Sequence, residues 1–147
     1  MTDQEQGIIA AARDILRQHI RCRPVLSSWQ AVLDYLALTV RGEEERLHVL
    51  YLDRRNRLIA DECLGVGTVD HVQVYPREVV KRALLLNASA LLVAHNHPAG
   101  DPTPSEADIA MTKKLQQACA TLELALHDHI IVGAGREISL RAQGVMG

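Results

Sequence analysis

Residues 89–108 read SALLVAHNHPAGDPTPSEAD, and the fold follows from how this stretch changes character along its length. Ser89 to Ala94 is a short apolar run bounded by polar residues, the pattern of a strand buried on both faces. It runs into a loop stiffened by Pro98, Gly100 and Pro102. Ser105-x-x-Asp108 then has the form of a helix start, and the spacing predicts a helix over about 105–121 with Ile109, Leu115 and Ala118 turned inward. A buried strand feeding a helix is one βα step, so an α/β architecture is expected.

The flanking sequence extends that alternation. Upstream, Pro76 suits the first turn of a helix that continues to Asn87. Glu45 to Asp53 alternates Leu47, Val49 and Tyr51 with His48, Leu50 and Leu52, which predicts a central strand apolar on both faces. The polar turn Arg54 to Arg57 leads into a second strand over 58–66, and so short a link favours an antiparallel hairpin. Residues 1–40 are expected to be a helical segment packed on the sheet. Its first helix places Ile8, Ala12, Ile15, Leu16 and His19 at helical spacing; its second, capped by Ser27 or Ser28, carries Ala31, Val32, Tyr35 and Leu36. Downstream, residues 124–132 and 138–140 supply the last strands, linked by the Gly133–Gly135 turn.

Composition narrows the function. At 147 residues and 48% hydrophobic content, the chain has enough apolar material for one domain whose core needs no metal or crosslink. Aromatic residues are 3% of the chain, so base-stacking platforms are not expected. Sixteen Lys and Arg against eighteen Asp and Glu lack the basic excess of a phosphate-backbone binder, which makes nucleic acid an improbable partner. The cluster Arg54, Arg55 and Arg57 reads as a solvated turn. No apolar run approaches the roughly 20 residues of a membrane span, and the acidic N-terminus is unlike a signal peptide, so a cytoplasmic protein is expected. Cys22, Cys63 and Cys119 lack C-x-x-C spacing and read as reduced thiols.

The chemistry lies where the buried strand ends. His95 and His97 stand at i and i+2, so an extended backbone projects both imidazoles from one face towards a common point. Asp108 falls in the first turn of the following helix, where the dipole favours an ionised carboxylate. Two imidazoles and one carboxylate suit Zn²⁺, and three protein ligands leave a tetrahedral position open for water. Zinc would lower the pKa of that water towards about 7. A carboxylate beside the ion would then move the proton, and Glu45 is the candidate, with Glu43 and Glu44 open as alternatives until the strand's orientation is known. Ser105 offers a hydrogen bond to an oxyanion, although Ser105-x-x-Asp108 also has the form of a capping box with no catalytic meaning. A second H-x-H, His127 and His129 around Asp128, is expected to put both rings on one strand face without a third ligand. His19, His48 and His71 read as structural or surface residues without partners.

His95, His97, Ser105 and Asp108 with an upstream Glu match the H-x-H-x(7)-S-x-x-D signature of the JAB/MPN (JAMM) zinc metalloprotease superfamily. Within it, HNHPAGDPTPSEAD, preceded by YPREVVKRALLLNASALLVA and followed by LHDHIIVG, closely resembles the RadC family over about residues 7 to 144. The resemblance implies a mixed, curved β-sheet flanked by helices, like that of the cytidine deaminases. It also implies one Zn²⁺ held by His95, His97 and Asp108, with Glu45 as general acid/base and Ser105 as oxyanion helper. DHIIVG matches the family pattern as well, which suggests that His129 orients a ligand. Many RadC proteins resemble two-part chains with a helix-hairpin-helix region, which this chain begins too late to include; a shorter, JAB-only member is expected.

The expected function is therefore hydrolysis of a peptide or isopeptide bond in a protein or peptide substrate. A non-catalytic metal-binding interaction module and a DNA-repair-associated factor are the alternatives, and exposed apolar helix faces leave room for a homodimer. The absence of H-x-E with P-C-x-x-C argues against a zinc deaminase, and that of H-E-x-x-H against a zincin. The residues leave another divalent metal open in place of zinc.

Overall fold

A computed structural model describes residues 1–67 and 74–146 of the chain. Its elements are α1 (Asp3–Cys22), a 3₁₀ turn (Val25–Ser27), α2 (Trp29–Thr39), β1 (Glu45–Leu52), β2 (Leu58–Gly67), α3 (Pro76–Leu85), β3 (Ala90–Asn96), α4 (Glu106–Thr121), β4 (Ala125–Val132) and β5 (Glu137–Ser139). The strands form one mixed open sheet in the order β2-β1-β3-β4-β5. β1 pairs antiparallel with both β2 and β3, β3 pairs parallel with β4, and β5 returns antiparallel to β4. The architecture is the α/β, mixed-sheet arrangement that the sequence predicts and fits a JAB/MPN fold.

The two apolar faces of β1 explain the layering. Leu47, Val49 and Tyr51 join Leu91 and Val93 of β3 beneath α3 and α4, where Val79, Ala83, Leu115 and Cys119 are buried. Leu50 and Leu52 join Leu92 and Ala94 on the other face, covered by Ile20 of α1 and by Val32, Tyr35 and Leu36 of α2. Each fully buried Leu contributes about 1.5–3 kcal/mol relative to exposure, so a strand apolar on both faces is held only between two layers. Among the described residues no helix is long and apolar enough to cross a membrane.

Three expectations change. Ile8 and Ile15 of α1 are 63% and 71% exposed, whereas Ile20 is buried and Leu16 packs on the core. α1 is apolar on adjacent sides, so periodicity leaves its rotation open. In the structure, Arg17 Nε donates to Tyr35 Oη at 3.3 Å, with Tyr35 in turn donating to Asp61. His48 is not partnerless, since its Nδ1 lies 2.8 Å from Asp61 Oδ1, and His19 Nδ1 is 2.9 Å from Arg23. His127 and His129 do not follow simple alternation, because β4 slips in register against β3 between Leu91 and Leu92. His127 Nε2 contacts Asn56 Oδ1 at 2.7 Å in the β1–β2 turn, while His129 lies opposite Val93 in the interior. His71 lies outside the described residues.

Candidate metal centre

The site forms where β1 and β3 run past one another. Leu47 pairs with His95, so Glu45, two residues earlier in β1, shares their face and comes beside His97. The register selects Glu45 among the three acidic residues: it is buried, whereas Glu43 and Glu44 are exposed. Asn96, between the two histidines, fixes the approach to β1. Its Oδ1 accepts from the Arg46 amide at 2.8 Å, and its Nδ2 donates to the Glu44 and Gly42 carbonyls at 3.1 and 3.4 Å. The sequence gives no signal for this clamp, because its partners are main-chain groups some fifty positions away.

Asp108 arrives from the third layer on α4. Ser105 is the N-cap, its Oγ accepting from the Asp108 amide at 3.0 Å while Asp108 Oδ2 accepts from the Ser105 amide at 2.9 Å. The capping box is real, and it aims the Asp108 carboxylate at the histidines. His95 Nε2 lies 3.2 Å from Asp108 Oδ1, His97 Nε2 lies 3.1 Å from Asp108 Oδ2, and the two Nε2 atoms are 3.0 Å apart. Glu45 Oε1 stands further off, 3.4 and 3.7 Å from the same nitrogens. Burial alone would raise the pKa of Asp108; the His95 ring and the Ser105 groups outweigh it and hold the carboxyl well below the usual range.

This donor set fits a cation. His97 Nδ1 faces the Asp101 carbonyl at 2.9 Å, and because a carbonyl only accepts, Nδ1 carries a proton, which in a neutral ring leaves Nε2 with a lone pair turned inward. Glu45 and Asp108, when ionised, offer acceptors alone. One ligand atom from each of the four residues lies within 4.8 Å of the others, and among the described residues this is the one His/Cys/Asp/Glu group able to hold a metal ion. The 3.0–3.2 Å edges among His95, His97 and Asp108 approach the roughly 3.3 Å edge of a tetrahedron with ~2.0–2.1 Å metal–ligand bonds.

A family model described as RadC-like JAB domain matches residues 26–145. The chain belongs to that family. Among its RadC-family relatives, a UPF0758 protein of Rhodobacter capsulatus is 58% identical over 145 residues, covering 97% of this chain and 68% of the relative. A UPF0758 protein of Ruegeria pomeroyi is 56% identical over 138 residues, covering 93% and 62% respectively. The RadC-like chain thus spans about two thirds of the length of the curated relatives it matches.

The RadC-like centre sits on the floor of a cleft of about 660 Å³ walled by Leu47, Val74, Tyr75, Met111, Ser105 and Lys114. A second cleft of similar volume adjoins it at His97 and Pro98, between α2 and the β4–β5 turn. That turn is more than a linker. Gly133 packs against the metal-site loop so closely that a Cβ there would meet Gly100 O at 2.4 Å, and the Ala134 amide donates to Gly100 O at 2.8 Å. His129 is buried behind His95, with its Nε2 2.7 Å from His95 Nδ1. Burial, with the neighbouring His95 next in weight, pushes the His129 pKa well down and keeps the ring neutral.

Proposed function

We propose that this RadC-like JAB domain is a zinc-dependent hydrolase that cleaves a peptide or isopeptide bond in a protein or peptide substrate of the cytoplasm. The observation that carries the reading is the grouping of His95, His97 and Asp108 within 3.0–3.2 Å on a cleft floor, with the Glu45 carboxylate set just beyond them. Two imidazoles and a carboxylate favour zinc among the common divalent ions. When bound, the ion supplies Lewis acidity to the scissile carbonyl and acidity to water. Everything else falls to the chain's own residues.

Glu45 takes the proton of the attacking water and returns it to the leaving amine, and its buried position on β1 keeps its carboxylate beside the reacting atoms. Ser105 Oγ has a lone pair committed to the Asp108 amide, and its own proton is free of that bond to meet a developing oxyanion. The adjoining clefts offer room on both sides of His97 for the two halves of an extended substrate. Three free cysteines, two of them exposed, suit a reducing compartment.

A second reading deserves its own test, since Glu45 lies close enough to complete a closed four-ligand site in a non-catalytic interaction module. Glu45→Gln separates the two. For the hydrolase, the variant keeps zinc at wild-type occupancy and loses at least about 10²-fold in turnover of a fluorogenic peptide or lysine-isopeptide probe. A loss of zinc on that substitution supports the closed site instead, and full turnover with bound zinc overturns the role given to Glu45.

A further inference from the structure

We infer that Thr112 and His129 are positioning residues that fix the tautomer of His95, so that its Nε2 presents a lone pair to the cluster. The inference rests on reading Glu45, His95, His97 and Asp108 as a metal centre. It follows from counting protons along one buried chain. Thr112 Oγ1 lies 2.7 Å from the Asp108 carbonyl oxygen, which only accepts, so the hydroxyl spends its single proton there. Oγ1 also lies 2.6 Å from His129 Nδ1, so that nitrogen must be the donor. A neutral imidazole has one N–H, which leaves Nε2 of His129 as an acceptor facing His95 Nδ1 at 2.7 Å. A neutral His95 therefore carries its proton on Nδ1, and its Nε2 is then the bare nitrogen 3.0 Å from His97 Nε2.

Running the chain backwards fails at its anchor. If Thr112 donated to His129, two acceptor oxygens would face each other across 2.7 Å with no proton between them. The chain also closes a ring, because Asp108 gives its carboxylate to the cluster and its carbonyl to Thr112. Two candidate ligands on different elements, β3 and α4, are thereby tied together through β4. Sequence spacing conceals the arrangement, since Thr112 reads as one polar residue on an inward helix face.

Thr112→Val keeps the shape and removes the anchor; Thr112→Ser restores the hydroxyl. In the metal-free wild type, long-range ¹H–¹⁵N spectra recorded at a pH where the ring is neutral are expected to show His95 protonated at Nδ1, and in Thr112→Val a substantial Nε2–H population. Zinc affinity, read by competition with a chromophoric chelator, is expected to fall by about 10- to 100-fold in Thr112→Val and to recover in Thr112→Ser. Zinc bound equally by wild type and Thr112→Val, or His95 protonated at Nε2 in the wild type, overturns the inference. A wild type that shows the Nδ1–H form but binds no zinc overturns the metal-centre reading and leaves the hydrogen-bond wiring standing.

Discussion

Asp108 combines two tasks in one carboxylate, capping α4 through the Ser105 amide and facing both His95 and His97. That economy made the ligand trio readable: the H-x-H at a strand end and an acid at a helix start are local patterns, each set by a few neighbouring residues. Asn96 and Thr112 were not readable, because what they do depends on main-chain groups or rings that only the fold brings near. His127 adds a residue-scale prediction. Burial, with the nearby Arg141 charge, lowers its pKa below the ordinary 6.5, so the folded chain resists protonating it while the unfolded chain does not. The unfolded state then binds more protons as pH falls below about 6.5, and stability held above that pH is lost below it. His129 is shifted in the same direction. Urea denaturation of the metal-free protein is expected to give a lower unfolding free energy at pH 5 than at pH 7.5, and His127→Asn is expected to flatten that slope. An unchanged slope in the variant would remove His127 from the account.

At the scale of elements, β1 and β3 were legible because strands apolar on both faces have few alternatives, and their hairpin and crossover links are short or helical. The rotation of α1 was not, since Ile8, Ile9, Ile15 and Leu16 offer two adjacent apolar stripes and only the core contacts of Ile20 and Leu16 choose between them. The slip in β4 was equally hidden, because H-x-H alternation presumes an unbroken register. The β4–β5 turn supplies a prediction of its own. An added methyl at Gly133 would meet Gly100 O at 2.4 Å and Pro102 Cδ at 2.7 Å, which drives the 97–102 loop away. That loop holds His97 through the Asp101 carbonyl. Gly133→Ala is expected to cost about 1–3 kcal/mol in stability and to weaken zinc binding, read by denaturation and chelator competition. Normal stability with normal affinity would show that the close approach is unimportant.

For the whole molecule, the sheet is sandwiched so that α1 and α2 cover one face while α3 and α4 cover the other, and the cluster sits where β1, β3 and α4 meet at the end of the sheet. This is the crevice beyond a parallel strand's carboxyl end that open α/β sheets commonly use for binding. A two-sided core and a site at a strand-to-helix junction could be read from hydrophobic pattern and motif together. The choice of Glu45 required the register of β1 against β3, which no local pattern encodes. An ion joining three elements should make folding and metal occupancy interdependent. The decisive measurement is elemental analysis of the chain purified, loaded with zinc and freed of loosely held metal, beside an Asp108→Ala variant treated identically. About one tightly held zinc per wild-type chain and none in the variant is the predicted result. A wild type without zinc, or a variant that retains a full equivalent, would contradict it.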